Sequence, residues 1–249
     1  MNEVLQSLQI RECDLACELK GREKEVRLLT VAFKKSITTP GGPGHLHYVA
    51  GQPGTGKTLT VKYVLKRLTR DGLKFRMGEV NILRMASSTM IFRELYKLAL
   101  PKKSLAGDYY TELGKYMKKK RMSLKIRLVG MSLKIVLVID EFDNLNFRNR
   151  AFNEKLYEVF DWTHLPNAAL TVICIANTIA LPDTIVPRCS SRLGNGSIIF
   201  PAYTWQQLYD VVMERSGGKI LSLFDETALQ LRNWERRAGA NENTQGHIT

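Results

Sequence analysis

Residues 46–58 read Leu46-His47-Tyr48-Val49-Ala50-Gly51-Gln52-Pro53-Gly54-Thr55-Gly56-Lys57-Thr58. The first five make an apolar run that suits a buried strand. The next eight fit G-x-x-x-x-G-K-[ST], a phosphate-binding loop. From Leu59 to Thr69, Val61, Val64, Leu65 and Leu68 fall at i, i+3, i+4 and i+7. That spacing predicts a helix starting where the loop ends. Glycines let the backbone approach a phosphate closely, and the loop's N–H groups face the anion together with the helix N-terminus. Lys57 supplies a point charge for the outer phosphates, and the Thr58 hydroxyl suits Mg²⁺. The predicted nucleotide-binding set is therefore Gly51, Gln52, Pro53, Gly54, Thr55, Gly56, Lys57, Thr58 and Leu59.

Two further strands end in polar residues. Residues 135–141 are Ile-Val-Leu-Val-Ile-Asp-Glu, a β-branched run of the kind buried on both faces of a parallel sheet. Asp140 is predicted to hold Mg²⁺ through water, and Glu141 to orient and polarise an attacking water. Ala169 to Ala176 repeats the buried-strand composition and ends in Asn177-Thr178. The carboxyl end of a strand in an open α/β sheet is where ligands bind. Asn177 is accordingly predicted to reach the γ-phosphate or the water. An Asx turn before Leu181-Pro182 is the alternative reading of that asparagine.

The rest of the chain fits an α/β alternation. An amphipathic helix is expected after Gly21-Arg22-Glu23, with Val26, Leu28, Leu29, Val31, Ala32 and Phe33 apolar. A Pro/Gly loop spans residues 38–44. A second strand is expected over Leu73–Asn81. A helix is predicted over residues 87–100, with Met90, Ile91, Leu95 and Leu98 on one side. Another helix over residues 104–121 ends in Lys118-Lys119-Lys120-Arg121. That basic run reads either as a phosphate contact or as a solvated helix end favoured by the dipole. Met122–Val129 nearly repeats Met131–Val138, and only the second copy leads into Asp140-Glu141. Asp143 reads as a turn or cap residue. Phe152–Trp162 is read as amphipathic helix, and Ile198–Phe200 as a last short strand. Thr204-Trp205-Gln206-Gln207 has the capping-box pattern that opens a helix. A final helical piece is expected over residues 225–237.

Composition narrows the class. The chain has 249 residues, 44% of them hydrophobic and 24% charged, as in ordinary globular proteins. No apolar run is long enough for a membrane span, and no secretory signal is expected at the N-terminus. Cys13, Cys17, Cys174 and Cys189 form no C-x-x-C pair, which favours reduced thiols over a structural zinc. Lys and Arg number 37 against 24 Asp and Glu, a net +13 that suits a polyanionic partner such as nucleic acid.

The order of these parts resembles the AAA+ ATPases, and more closely the eukaryotic replication initiators. The strings that carry the likeness are Gly21-Arg22-Glu23, the Gly51–Thr58 loop, Ile139-Asp140-Glu141-Phe142-Asp143, Ile175-Ala176-Asn177-Thr178, Ser190-Ser191-Arg192-Leu193-Gly194 and Phe200-Pro201-Ala202-Tyr203-Thr204. The family in question is that of the largest subunit of the origin recognition complex and its cell-division-control relative. The resemblance implies an α/β three-layer P-loop NTPase core with a parallel five-stranded sheet, plus a partial helical lid. It implies an extension over 1–20, a nucleotide-binding core over 21–200, a partial lid over 201–238 and a disordered tail over 239–249. It makes Asp140 and Glu141 the Walker B pair, Asn177 sensor 1 and Arg192 an arginine finger completing a neighbour's site. Leu19 to Arg22 and Tyr203 would border the adenine of ATP, with Mg²⁺ as cofactor. The implied partners are other origin recognition complex subunits, helicase-loading factors and the DNA phosphate backbone, and the implied compartment is the nucleus. The family's sensor 2 turn and winged helix have no counterpart here, since Ala238-Gly239-Ala240-Asn241 does not fit that turn. ATP hydrolysis is therefore expected to depend on partner subunits. A nucleotide-gated scaffold without turnover, and a clamp-loader-like ATPase, remain the alternatives.

Overall fold

The computed structural model describes residues 19–39, 45–87, 89–101, 108–122, 133–145, 149–165, 170–179 and 197–216. In chain order the described elements are α1 (Glu23–Thr38), β1 (Leu46–Gly51), α2 (Lys57–Arg70), β2 (Phe75–Asn81), α3 (Met90–Ala99), α4 (Tyr109–Met122), β3 (Lys134–Asp140), α5 (Arg150–Trp162), β4 (Leu170–Ala176), β5 (Ser197–Phe200) and α6 (Trp205–Ser216). Contacts divide the chain into two compact units. One is Arg22–Ala202. The other holds, among the described residues, 19–21 and 203–216.

The sheet has five parallel strands in the order β2-β3-β4-β1-β5. This is the predicted sheet. Strands β1 and β4 are buried along their whole length and β3 nearly so, which explains their largely apolar sequences. Because side chains alternate, each of these strands feeds both faces. Leu46, Tyr48 and Ala50 join Ile135, Leu137, Ile139, Leu170, Val172 and Cys174 in a core closed by α3, α4 and α5. His47 points the other way, where Phe33 of α1 meets its ring edge-on with centroids 5.3 Å apart. Helices therefore lie on both faces.

Several boundaries and faces differ from expectation. Helix α2 begins at Lys57, two residues before the predicted start, so Lys57 is helical and buried and not part of an open loop. In α1 the predicted apolar residues Leu28 and Val31 are exposed, while Glu25 and Ser36 are buried. In α3 the buried stripe is Ile91, Phe92, Leu95, Tyr96 and Ala99, and Met90 faces outward. Helix α4 starts at Tyr109, and helix α5 at Arg150, where Asn149 Oδ1 accepts from Phe152 N at 3.1 Å. The capping box of α6 forms as predicted: Thr204 N donates to Gln207 Oε1 at 2.9 Å, and Gln207 N donates to Thr204 Oγ1 at 3.3 Å. Arg192, the side chains of Lys118–Arg121, the first copy of the near-repeat beyond Met122, and residues 225–237 lie outside the described residues.

Candidate nucleotide site

The site is assembled at the carboxyl ends of neighbouring strands. Gly51 closes β1, and a Cβ there would lie 2.4 Å from the Phe200 carbonyl oxygen, so only glycine allows β5 to pair at that point. The loop Gln52–Gly54 is exposed. Gly56 then turns the chain into α2 with φ 83°, a left-handed conformation that disfavours a side chain. The loop's hydroxyl at Thr55 donates to Gln52 O at 2.8 Å and braces the turn.

Lys57 is the hub. Its Nζ donates to Gly51 O at 2.8 Å, to Gln52 O at 2.9 Å and to Asn177 Oδ1 at 3.0 Å. An ammonium has three donors, and three oxygens accept them. Burial holds its pKa below the usual lysine range, while the charges of Glu141, Asp143 and Asp140 pull the other way. A phosphate oxygen entering the loop competes only with neutral acceptors for this charge.

Thr58 Oγ1 donates to Asp140 at 3.1 Å to Oδ1 and 3.3 Å to Oδ2. A hydroxyl and a carboxylate at the mouth of a phosphate loop are hard oxygen donors, a set that fits Mg²⁺ and does not favour a soft metal. Among the described residues there is no His/Cys/Asp/Glu cluster of metal-binding type.

Asn177, at the end of β4, divides its amide. The oxygen accepts from Lys57, and Nδ2 donates to Glu141 Oε2 at 2.8 Å. The structure thus brings Lys57, Thr58, Asp140, Glu141 and Asn177 together from three strand ends. Glu141 itself has φ 56° and ψ 41°, the described non-glycine residue with positive φ. Such backbone strain gathers at functional sites.

Asn81, Asp143 and Tyr48 were not predicted to serve this site, whereas Arg22 and Tyr203 were expected beside the adenine. Asn81 ends β2 in register with Asp140, and its Nδ2 donates to Asp140 Oδ2 at 3.4 Å. The signal was present: a polar residue closing a strand, as at Asn177. Asp143, expected to serve only a turn, sits in the short 3-10 turn Phe142–Asn144 and adds negative charge near Lys57. Tyr48, buried on β1, donates its hydroxyl to Thr178 O at 2.6 Å and ties β1 to the loop bearing Asn177. Arg22 is fully buried, with Nη2 donating to Pro201 O at 2.7 Å and the guanidinium 5.4 Å from the Phe200 ring. In the other unit, Tyr203 lies beside Gly21, whose carbonyl accepts from Gln207 Nε2 at 3.2 Å.

A phosphate loop, a strand-end carboxylate pair and a strand-end asparagine on one parallel sheet are shared by many nucleotide-binding proteins, so sequence comparison decides the family. Residues 47–197 match the ATPase family associated with various cellular activities, AAA. The chain belongs to the AAA ATPase family. As an AAA ATPase domain it is a nucleotide-binding domain. It is similar to origin recognition complex subunit 1 of Dictyostelium discoideum, 31% identical over 86% of this chain and 34% of the relative. Subunit 1A of the origin of replication complex of Arabidopsis thaliana is 33% identical over 85% of this chain and 26% of the relative. The chain thus spans about a third or less of the length of these curated relatives. Among solved structures, the Drosophila origin recognition complex bound to DNA contains a similar chain. It has a TM-score of 0.67 and 27% identity, covering 87% of this chain and 50% of that one. The Cdc6p protein of Pyrobaculum aerophilum shares the fold with a TM-score of 0.64 at 19% identity, over 87% and 53% of the two chains.

Proposed function

We propose that this AAA chain is the ATP-binding part of an origin recognition complex subunit, which marks replication origins in the nucleus and helps to load the replicative helicase. One observation carries the chemical reading. Lys57, Thr58–Asp140 and Asn177–Glu141 form a connected set at the mouth of the phosphate loop. Lys57 reaches the β- and γ-phosphates from the first turn of α2. Thr58 and Asp140 would hold Mg²⁺, with Asn81 steadying the carboxylate. When bound, Mg²⁺ neutralises charge on the phosphate oxygens. Glu141 polarises the attacking water, and Asn177 keeps that carboxylate and Lys57 in fixed relation. By the family resemblance, Leu19–Arg22 and Tyr203 are the residues expected to border the adenine, and within the smaller unit Tyr203 lies beside Gly21. Domain limits near residues 21 and 201 set the core apart from the partial lid.

The similarity to origin recognition complex subunits supports the biological setting. Other subunits of the complex and helicase-loading factors are its protein partners. DNA is held mainly through phosphate contacts, for which the +13 charge is suited, so affinity falls steeply with salt. Arg192 acts in trans on a neighbour's γ-phosphate, since its planar, always charged fork matches phosphate oxygens. The deciding experiment measures ATP hydrolysis by the assembled complex and origin occupancy in cells. The reading expects origin-enriched occupancy and hydrolysis that falls by about 10³–10⁵ at the neighbour's site with Arg192→Ala. Loss confined to the mutant chain's own site would sink the trans assignment, and uniform chromatin occupancy would sink the origin assignment.

A further inference from the structure

The Glu141 carboxylate is gripped by two amides, not one. Asn177 Nδ2 donates to Oε2 at 2.8 Å, and Asn144 Nδ2 donates to the same oxygen at 3.1 Å. Oε1 accepts from neither. Asn144 reaches back because the 3-10 turn that follows β3 closes with Asn144 N donating to Glu141 O at 3.0 Å. The turn therefore places residue 144 under the side chain of residue 141. Asn144 is exposed, so water could have satisfied its amide, yet the amide folds inward onto the carboxylate. The two grips differ in kind. Asn177 is shared with Lys57, so its position answers to whatever Lys57 binds. Among the described residues, the side-chain hydrogen bond of Asn144 goes to Glu141 alone.

We propose that Asn144 is a positioning residue for Glu141, fixing the carboxylate by Oε2 so that Oε1 is the oxygen presented to the attacking water. The assignment rests on reading Glu141 as the water-polarising group. It adds a hold on Glu141 that stays in place when Asn177 and Lys57 rearrange around phosphate. Two donors on one oxygen also hold the plane of the carboxylate, because a quarter turn about its terminal bond breaks both hydrogen bonds. A leucine at 144 keeps the side-chain shape and removes the donor.

The test uses the full-length protein in its assembled complex, with single-turnover hydrolysis and nucleotide affinity measured for Asn144→Leu, Glu141→Gln and the double variant. Asn144→Leu is expected to slow hydrolysis about tenfold, the scale of a hydrogen bond to a charged group, with affinity unchanged within about twofold. In the Glu141→Gln background it should add no further loss, which a merely structural role would not reproduce. A second readout needs no activity: Glu141→Ala should move the side-chain amide resonances of both Asn144 and Asn177 in a nitrogen–proton correlation spectrum. A wild-type rate in Asn144→Leu alongside a slowed Glu141→Gln overturns the assignment alone, as does an additive loss in the double variant or an unmoved Asn144 resonance. A wild-type rate in Glu141→Gln overturns the underlying role of Glu141 and the assignment with it.

Discussion

Strand β1 has buried polar residues at both ends, and they behave in opposite ways. Past its carboxyl end stands Lys57, charged, held by two loop carbonyls and an asparagine, with carboxylates close by. Toward its amino end stands His47, stacked 5.8 Å from His45 and paired through Nε2 with Ser36 Oγ at 2.7 Å. Burial, with a smaller push from His45, lowers the His47 pKa from 6.5 to about 4, so it is neutral at physiological pH. Burying a charge is costly unless it is paired, and burying a neutral ring with one hydrogen bond is cheap. Among the described residues, the buried charge beside β1 is Lys57, past its carboxyl end, where the proposed chemistry needs it. The amino end is architecture.

If that contrast holds, the largest effects come from the carboxyl end and fall on function. Glu141→Gln is expected to lower ATP hydrolysis in the assembled complex by about 10²–10⁴, the range for losing a general base. ATP affinity should stay near wild type. Rapid-quench single-turnover kinetics check this, and an unchanged rate would mean that another group handles the water. Lys57→Ala is expected to weaken ATP binding by about 10²–10³, because a buried charge that meets phosphate directly is removed. Isothermal titration gives the affinity, and circular dichroism should show an intact fold. Retention of wild-type affinity would take Lys57 out of the site.

The amino end should respond to acid instead. The unfolded chain takes up a proton at His47 near pH 6.5, and the folded chain resists until about pH 4. Stability from this group is therefore complete above pH 6.5 and drains away as the pH falls toward 4, a loss of up to about 3 kcal/mol. His45 acts in the same direction, its pKa lowered by burial and by Lys35, Lys134 and His164. His47→Phe, which keeps the edge-on contact with Phe33, should flatten the fall in melting temperature between pH 7 and 5 and leave ATP affinity alone. Identical pH profiles for the two proteins would refute the linkage.

The two ends were unequally legible in the sequence for a physical reason. Strands β1, β3 and β4 are covered on both faces, so most of their residues are apolar and the composition shows through. The phosphate loop and the Asp140-Glu141 and Asn177 strand ends are local patterns, and the structure brings them together. What could not be read depends on lateral pairing. Asn81 meets Asp140 only because β2 lies beside β3 in a given register. Tyr48 meets Thr178 only because β4 lies beside β1 in parallel. Helix faces suffered similarly. Ser36 is buried because His47 needs a partner, while Leu28 and Val31 are exposed despite their apolar character. Periodicity counts hydrophobic residues and does not see a neighbouring polar group.

The finest test pairs one hydroxyl from each end. Tyr48 donates to Thr178 O at 2.6 Å, and Ser36 Oγ pairs with His47 Nε2 at 2.7 Å. Both bonds involve buried groups, and burial pushes the Tyr48 phenol well above the usual tyrosine range, which keeps it a donor. Tyr48→Phe and Ser36→Ala each leave a buried acceptor or ring nitrogen short of one partner, at a cost of about 1–2 kcal/mol in stability. By stability alone the two variants should be alike. They should differ in function. The Thr178 carbonyl follows directly on Asn177, so losing its anchor loosens the side chain that joins Lys57 to Glu141, and hydrolysis should fall by about threefold to tenfold with little change in ATP affinity. Ser36 is on α1 against the opposite face and end of the sheet, and Ser36→Ala should leave both quantities at wild type. Urea melts and single-turnover rates on the two variants side by side settle the matter. Equal losses of hydrolysis in both would show that the site answers to global stability, and the distinction between the two ends of β1 would fail.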